Sequence, residues 1–176
     1  LLDACGVMPG ETVLDLASGA GEPALSAAKR VGPGGHVVGI DLVPAMLAGA
    51  IRRAADFSGT KPDFVVGDMT SLPFPDGHFD RVTCRFGIMF VPDIQSCLAE
   101  TVRVLNPHGK AAFMVWGPLG DNTLFSELGA AVSDVIGPDP ENAMGPLFRF
   151  EEPGSLADMM AEAGFRNVTE ESLRPT

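Results

Sequence analysis

Apolar runs rich in Val, Ile and Phe alternate along this chain with segments of helical period, and no internal repeat interrupts the alternation. Strand, helix, strand in that order closes a core when consecutive strands lie parallel and the helices cross over the sheet faces. Strands are expected over Thr12–Leu16, His36–Asp41, Asp63–Gly67, Phe79–Cys84 and Lys110–Trp116. Helices are expected over Pro23–Val31, Pro44–Ala55 and Ile94–Leu105, the last with Ile94, Leu98, Val102 and Leu105 on one face. Glycine and proline mark the breaks at 31–35, 75–78 and 106–109. The fold class expected is α/β: a Rossmann-like three-layer sandwich around a mostly parallel central sheet.

Beyond Trp116 the alternation slackens. A helix over Thr123–Ile136, a loop over Gly137–Pro146, a helix over Pro153–Ala163 and a final strand over Phe165–Leu173 are expected. The stretch 117–164 is too short to bury a core of its own and reads as a helical insertion contributing to an acceptor site. The expected organisation is one domain over 1–176, with a cofactor-binding core over 1–116 and a last strand within 165–176.

Composition excludes some functions. A formal charge of −11 leaves no basic surface for a phosphate backbone, so no nucleic-acid partner is expected. No apolar run approaches the roughly 20 residues of a membrane span. The three cysteines, Cys5, Cys84 and Cys97, have neither metal-ligand nor disulfide spacing, so no metal site and a reducing, cytoplasmic setting are expected.

Asp15, Asp41 and Asp68 each stand at the C-terminal end of an expected strand, where open α/β sheets bind their ligands. On consecutive parallel strands they would line one rim with carboxylates. The turn Ala17–Glu22 brings backbone close to a ligand, because Gly19 and Gly21 carry no Cβ. Gly19, Gly21 and Ala24 also match the dinucleotide fingerprint, with Asp41 twenty residues beyond Gly21, which makes an NAD-dependent Rossmann oxidoreductase the rival reading. Against it, Asp15 and Glu22 would flank the turn with negative charge and repel a pyrophosphate. Charge favours a ligand with an ammonium group and no phosphate.

The segments VLDLASGAG (13–21), VVGIDLVPAML (37–47), VVGDMTSLPFPDGHFDRV (65–82) and LNPHGKAAFMVW (105–116) resemble, in order and spacing, the motifs of class I S-adenosylmethionine-dependent methyltransferases. The resemblance implies transfer of a methyl group from S-adenosyl-L-methionine to a small-molecule acceptor. It implies that Asp15, Gly19 and Gly21 surround the methionine moiety and that Asp41 holds the ribose hydroxyls. Leu42 and Met46 would flank the adenine, Asp68 would accept from its amino group, and the Met69 N–H would donate to the ring. Ala17 stands in this set where the family usually has Gly. CRFGIMFVPD (84–93) and Trp-Gly-Pro at 116–118 resemble relatives of the ubiquinone/menaquinone C-methyltransferase subgroup, with Met89-Phe90 in place of that subgroup's Arg-Asn. The family's sheet ends in a hairpin, so the resemblance implies that the sequence is truncated at both ends.

Arg85 is the candidate catalytic residue, placed to orient an anionic acceptor in the cleft, and is also expected among the cofactor-binding residues. Phe86, Met89, Phe90, Trp116 and Phe125 are candidates for an apolar acceptor pocket. Asp121 and Asn122 read as helix caps, and His36, His78 and His108 as structural. A non-catalytic cofactor-binding protein is the remaining alternative.

Overall fold

The computed structural model describes residues 1–137 and 145–173. The chain divides into two compact units, Leu1–Met114 and Val115–Thr176.

The first unit is built on five strands: β1 (Thr12–Leu16), β2 (His36–Asp41), β3 (Asp63–Val66), β4 (Phe79–Arg85) and β5 (Leu105–Met114). Their order is β3-β2-β1-β4-β5, and every pairing is parallel. Chain order reverses its direction at β1, where the next strand, β4, pairs on the side opposite β2. Helices α2 (Ala24–Val31) and α3 (Pro44–Ala55) make the crossovers toward β3, and α4 (Ile94–Val104) makes the one toward β5. Right-handed crossovers running in opposite directions put α2 and α3 on one face and α4 on the other.

Sequence explains each element. In α2 the buried residues Ala24, Leu25, Ala27, Ala28 and Val31 recur at helical spacing, and all but Leu25 cluster with Val13 and Val37 of the sheet. Pro44 opens α3, where its fixed φ suits the first turn. Asp93 caps α4, accepting from the Ser96 amide at 3.0 Å and its hydroxyl at 2.7 Å. The strands alternate: Val13, Asp15 and Thr83 face α2, while Leu14, Leu16, Val82 and Cys84 point to the α4 face.

Three differences from expectation exceed a residue or two at an element's end. A short helix, α1 (Leu2–Cys5), precedes β1 and seats Cys5 in the core. The break expected at 106–109 lies inside β5, because pairing begins at Phe79↔Leu105 and resumes at Arg81↔Lys110. The residues between bulge outward, held by the Asn106 amide donating to Asp80 Oδ1 at 2.6 Å.

The third difference is the final strand. Residues 165–173 carry none, and two features account for it. Asn167 takes φ +58, which breaks an extended run. Glu170 instead reaches back to accept from the Gly154 amide at 3.1 Å, at the start of α6 (Ser155–Glu162).

In the second unit α5 (Thr123–Ile136) follows Asn122, whose side chain donates to the carbonyls of Gly117 and Pro118. Trp116, Phe125 and Phe148 meet edge to face, with ring centroids 5.0 and 5.6 Å apart. Residues 138–144 of the expected loop lie outside the described residues.

Candidate functional site

The connection from β1 to α2 turns through three residues of left-handed backbone: Ala17 at φ +50, Gly19 at φ +54 and Gly21 at φ +102. Only the glycines take this conformation without steric cost. Gly21 is buried, and a Cβ there would press within 3.0 Å of Leu25 Cδ1 and 3.2 Å of Ala50 Cβ. Its missing side chain lets α3 approach the start of α2. Gly19 faces the other way, into a hollow of about 360 Å³ at the C-terminal ends of β1 and β4. Ala17, Ser18, Ala20, Met46, Arg85 and Phe86 are among the residues that line it.

Asp15 does not reach that hollow. Its carboxyl is fully buried beneath the turn. Oδ1 accepts from the Thr83 hydroxyl at 2.9 Å and Oδ2 from the Ala24 amide at 3.1 Å. Burial pushes its pKa up to about 7, although the Ser18 and Thr83 hydroxyls, the Ala24 amide and the charge of Arg85 pull it down. The rim of three acids expected from sequence is therefore a rim of two, Asp41 half-buried and Asp68 exposed, with Asp15 supporting the turn from below. Thr83 stands polar between the apolar Val82 and Cys84 of β4, a signal that could have marked it as the partner of Asp15.

Asp41 Oδ2 accepts from the Gly19 amide at 2.8 Å, and Oδ1 from the Val43 amide at 2.9 Å. One carboxylate thus fixes the glycine turn to the end of β2 and keeps lone pairs for a ligand. Leu42 and Met46 project 67% and 45% exposed beside it, with Met46 Cε 3.4 Å from where a Cβ on Gly19 would stand. Asp68 Oδ1 is taken by the Thr70 amide and hydroxyl, each at 2.8 Å, in a turn that also carries the half-buried Met69. Arg85 lies exposed at the end of β4.

Sequence reasoning missed Arg53. It lines the hollow, pairs with Glu22 at 3.1 Å and donates to the Ala20 carbonyl at 2.8 Å. Of the aromatic and Met candidates, Met89 belongs to the core and Phe90 is 58% exposed; Trp116 and Phe125 belong to the second unit. His36 pairs with Asp63 at the N-terminal ends of the strands, and no histidine lines the hollow.

The sequence profile of a methyltransferase domain matches residues 13–109. The chain is 37% identical to the ubiquinone/menaquinone biosynthesis C-methyltransferase of Methylobacterium nodulans, over 92% of this chain and 68% of that one. The chain belongs to the S-adenosylmethionine-dependent methyltransferase family. It is also 35% identical to the nocamycin O-methyltransferase of Saccharothrix syringae, over 97% of this chain and 64% of that one. It thus spans about two thirds of the length of these relatives. The crystal structure of a methyltransferase from Aquifex aeolicus shares the fold with a TM-score of 0.72 at 21% identity, covering 94% of this chain and 77% of that one.

Methyl transfer is accordingly this chain's chemistry and S-adenosylmethionine its cofactor. The residues present fit that group. A glycine cradle narrowed by any Cβ, the carboxylate Asp41, the cation Arg85 and the apolar Met46 and Phe86 suit a ligand with hydroxyls, a carboxylate and a flat base.

Family membership removes the oxidoreductase reading, but not for the reason sequence suggested. Neither Asp15 nor Glu22 is a free charge on the turn: the first is buried, and the second is held by Arg53 and by the Ser26 hydroxyl at 2.7 Å. What excludes a pyrophosphate is the start of α2. Pro23 has no N–H, the Ala24 amide donates to Asp15, and the Leu25 amide donates to the Gly21 carbonyl at 2.8 Å. The donors a pyrophosphate needs already point inward.

Proposed function

We propose that the chain methylates a small, largely apolar organic acceptor, with the cofactor held in the hollow above Gly19. The observation that carries this reading is the mixed character of the hollow: apolar Met46 and Phe86 line it together with Arg85 and Gly19, and the Asp41 carboxylate holds the Gly19 amide. On this reading Asp41 takes the ribose hydroxyls, and Leu42 and Met46 flank the adenine. Asp68 accepts from the adenine amino group, the Met69 amide donates to the ring, and Arg85 faces the carboxylate of the methionine moiety. The cofactor supplies a methyl group activated by a sulfonium.

The protein's own part is to bind, align and exclude water. Glu22, the one carboxylate lining the hollow among the described residues, is engaged by Arg53 and Ser26, so orientation rather than a dedicated base carries the acceleration. Exposed Phe90 supplies apolar contact for the acceptor. The resemblance implies Arg-Asn in the quinol-methylating subgroup where this chain has Met89-Phe90, and the exposed apolar Phe90 there favours an acceptor other than a quinol. The named relatives include a C- and an O-methyltransferase, so product analysis must read the acceptor atom. Three free, buried thiols support a reducing, cytoplasmic setting.

The deciding experiment incubates the protein with methyl-labelled cofactor and a metabolite extract and identifies labelled products by mass. A labelled apolar small molecule is expected. Cofactor binding without any labelled product would identify a non-catalytic binding protein instead.

A further inference from the structure

The longest connection in the first unit without regular structure runs from the end of β3 to the start of β4, residues 67–78, and it carries Asp68 and Met69. Its backbone cannot organise itself. Pro73 and Pro75 lack N–H groups and hold the residues before them extended, so the intervening carbonyls need partners from outside.

Those partners come from one side chain on α4. Arg103 Nη2 donates to the Leu72 carbonyl at 3.0 Å, and Nη1 donates to the Phe74 carbonyl at 2.7 Å and to Asp76 Oδ1 at 2.8 Å. Glu100 grips the same guanidinium in a bidentate pair, at 2.7 Å from Nε and 2.8 Å from Nη2. Its Oε2 also accepts from the Leu72 amide at 2.7 Å. The Gly77 amide closes the set on the Arg103 carbonyl at 2.9 Å.

The other end of the connection is anchored as well. The Gly67 amide donates to the Asp41 carbonyl at 3.0 Å, and a Cβ on Gly67 would come within 2.8 Å of Ile40 Cδ1. Between the Gly67 anchor on β2 and the Leu72 anchor on α4 stand only Asp68, Met69, Thr70 and Ser71. Asp68 shapes this span by accepting from Thr70, and the Ser71 amide returns to the Asp68 carbonyl at 3.1 Å.

We infer that Arg103 is a positioning residue for cofactor binding: its planar fork, oriented by Glu100, sets the β3–β4 connection and so aims the turn carrying Asp68 and Met69. Arg103 is not among the residues lining the hollow, so it acts through the connection. The inference rests on the proposal that Asp68 and Met69 serve the adenine. A lysine keeps the charge but loses the fork that spans Leu72, Phe74 and Asp76 together.

The test uses the whole chain with Arg103→Lys, Asp68→Asn and the double variant, at a temperature where each is folded. Affinities for S-adenosylhomocysteine and for adenosine are measured by calorimetry, and amide exchange is followed over 67–78. Each single variant should weaken both ligands by about tenfold, and the double variant by about the same tenfold, because the two residues act through one contact. Exchange across the connection should quicken in Arg103→Lys alone of the singles. Should Arg103→Lys bind both ligands as the parent does while Asp68→Asn weakens them, the positioning role is overturned. Losses that multiply toward a hundredfold in the double variant would overturn it too. Unchanged affinity in Asp68→Asn would overturn the reading of Asp68 and the inference with it. Glu100→Gln, which leaves the three bonds to the connection in place but loosens their orientation, is the second variant should Arg103→Lys fold poorly, and the same outcomes apply to it.

Discussion

Asp15 stands at the end of β1 as sequence expects, yet burial decides what it does. Its carboxyl holds a proton to about pH 7, whereas in the unfolded chain it ionises near pH 4. The folded state therefore binds more protons between those values, and stability falls as pH rises from about 4 to about 7, then levels off. A shift of that size corresponds to at most about 4 kcal/mol. Urea denaturation at pH 5, 6, 7 and 8 should show this decline, and Asp15→Asn should flatten it. Ala17 and Gly87 form a second residue-scale pair, since a Cβ on Gly87 would stand 2.3 Å from Ala17 Cβ. Neither carbon can rotate away. Gly87→Ala should cost about 2–3 kcal/mol by thermal or chemical denaturation, and Ala17→Gly in the same molecule should recover part of it. Asp41→Ala should weaken cofactor binding roughly ten- to a hundredfold. It should also lower stability, because the carboxylate anchors Gly19 and Val43.

Among the elements, the two ends of the parallel sheet do different work. The C-terminal ends of β1 and β4 open on the hollow, while the N-terminal ends are closed by Asp80. Its Oδ2 accepts from the Thr12 amide at 2.8 Å, and its Oδ1 receives Asn106 from the bulge in β5. Asp80→Ala should therefore lower stability by about 1.5–3 kcal/mol and leave the cofactor dissociation constant unchanged. Calorimetry and denaturation on one preparation separate the two effects. The bulge also shows how an element boundary escapes sequence reasoning. Asn106-Pro-His-Gly109 has the composition of a helix stop, and it does stop α4, but β5 begins at Leu105 because that residue pairs with Phe79. A local signal for a turn says nothing about a partner strand 26 residues away. The missing strand at 165–173 is the converse case: a stretch expected to be extended forms no strand where Asn167 reverses the backbone and Glu170 is drawn to the start of α6.

For the whole molecule, cofactor binding should stabilise the folded state by mass action, by about 2.7 kcal/mol at a concentration one hundred times the dissociation constant. Denaturation with S-adenosylhomocysteine present should show that gain, and NAD at the same concentration should give none. Sequence by itself determined the α/β alternation, the order of the motifs and the positions of Asp41, Asp68 and Gly19, because hydrophobic period and turn chemistry are local properties. It also carried the family resemblance, which is a matter of residue order. Tertiary structure alone decided which way each side chain faces and what it meets there. Burial made Asp15 a support beneath the turn, Arg53 took up Glu22, the start of α2 turned its donors inward, and Arg103 reached the β3–β4 connection from α4. These contacts join residues from 9 to 68 positions apart, so their energies exist only once the sheet has brought the strands together.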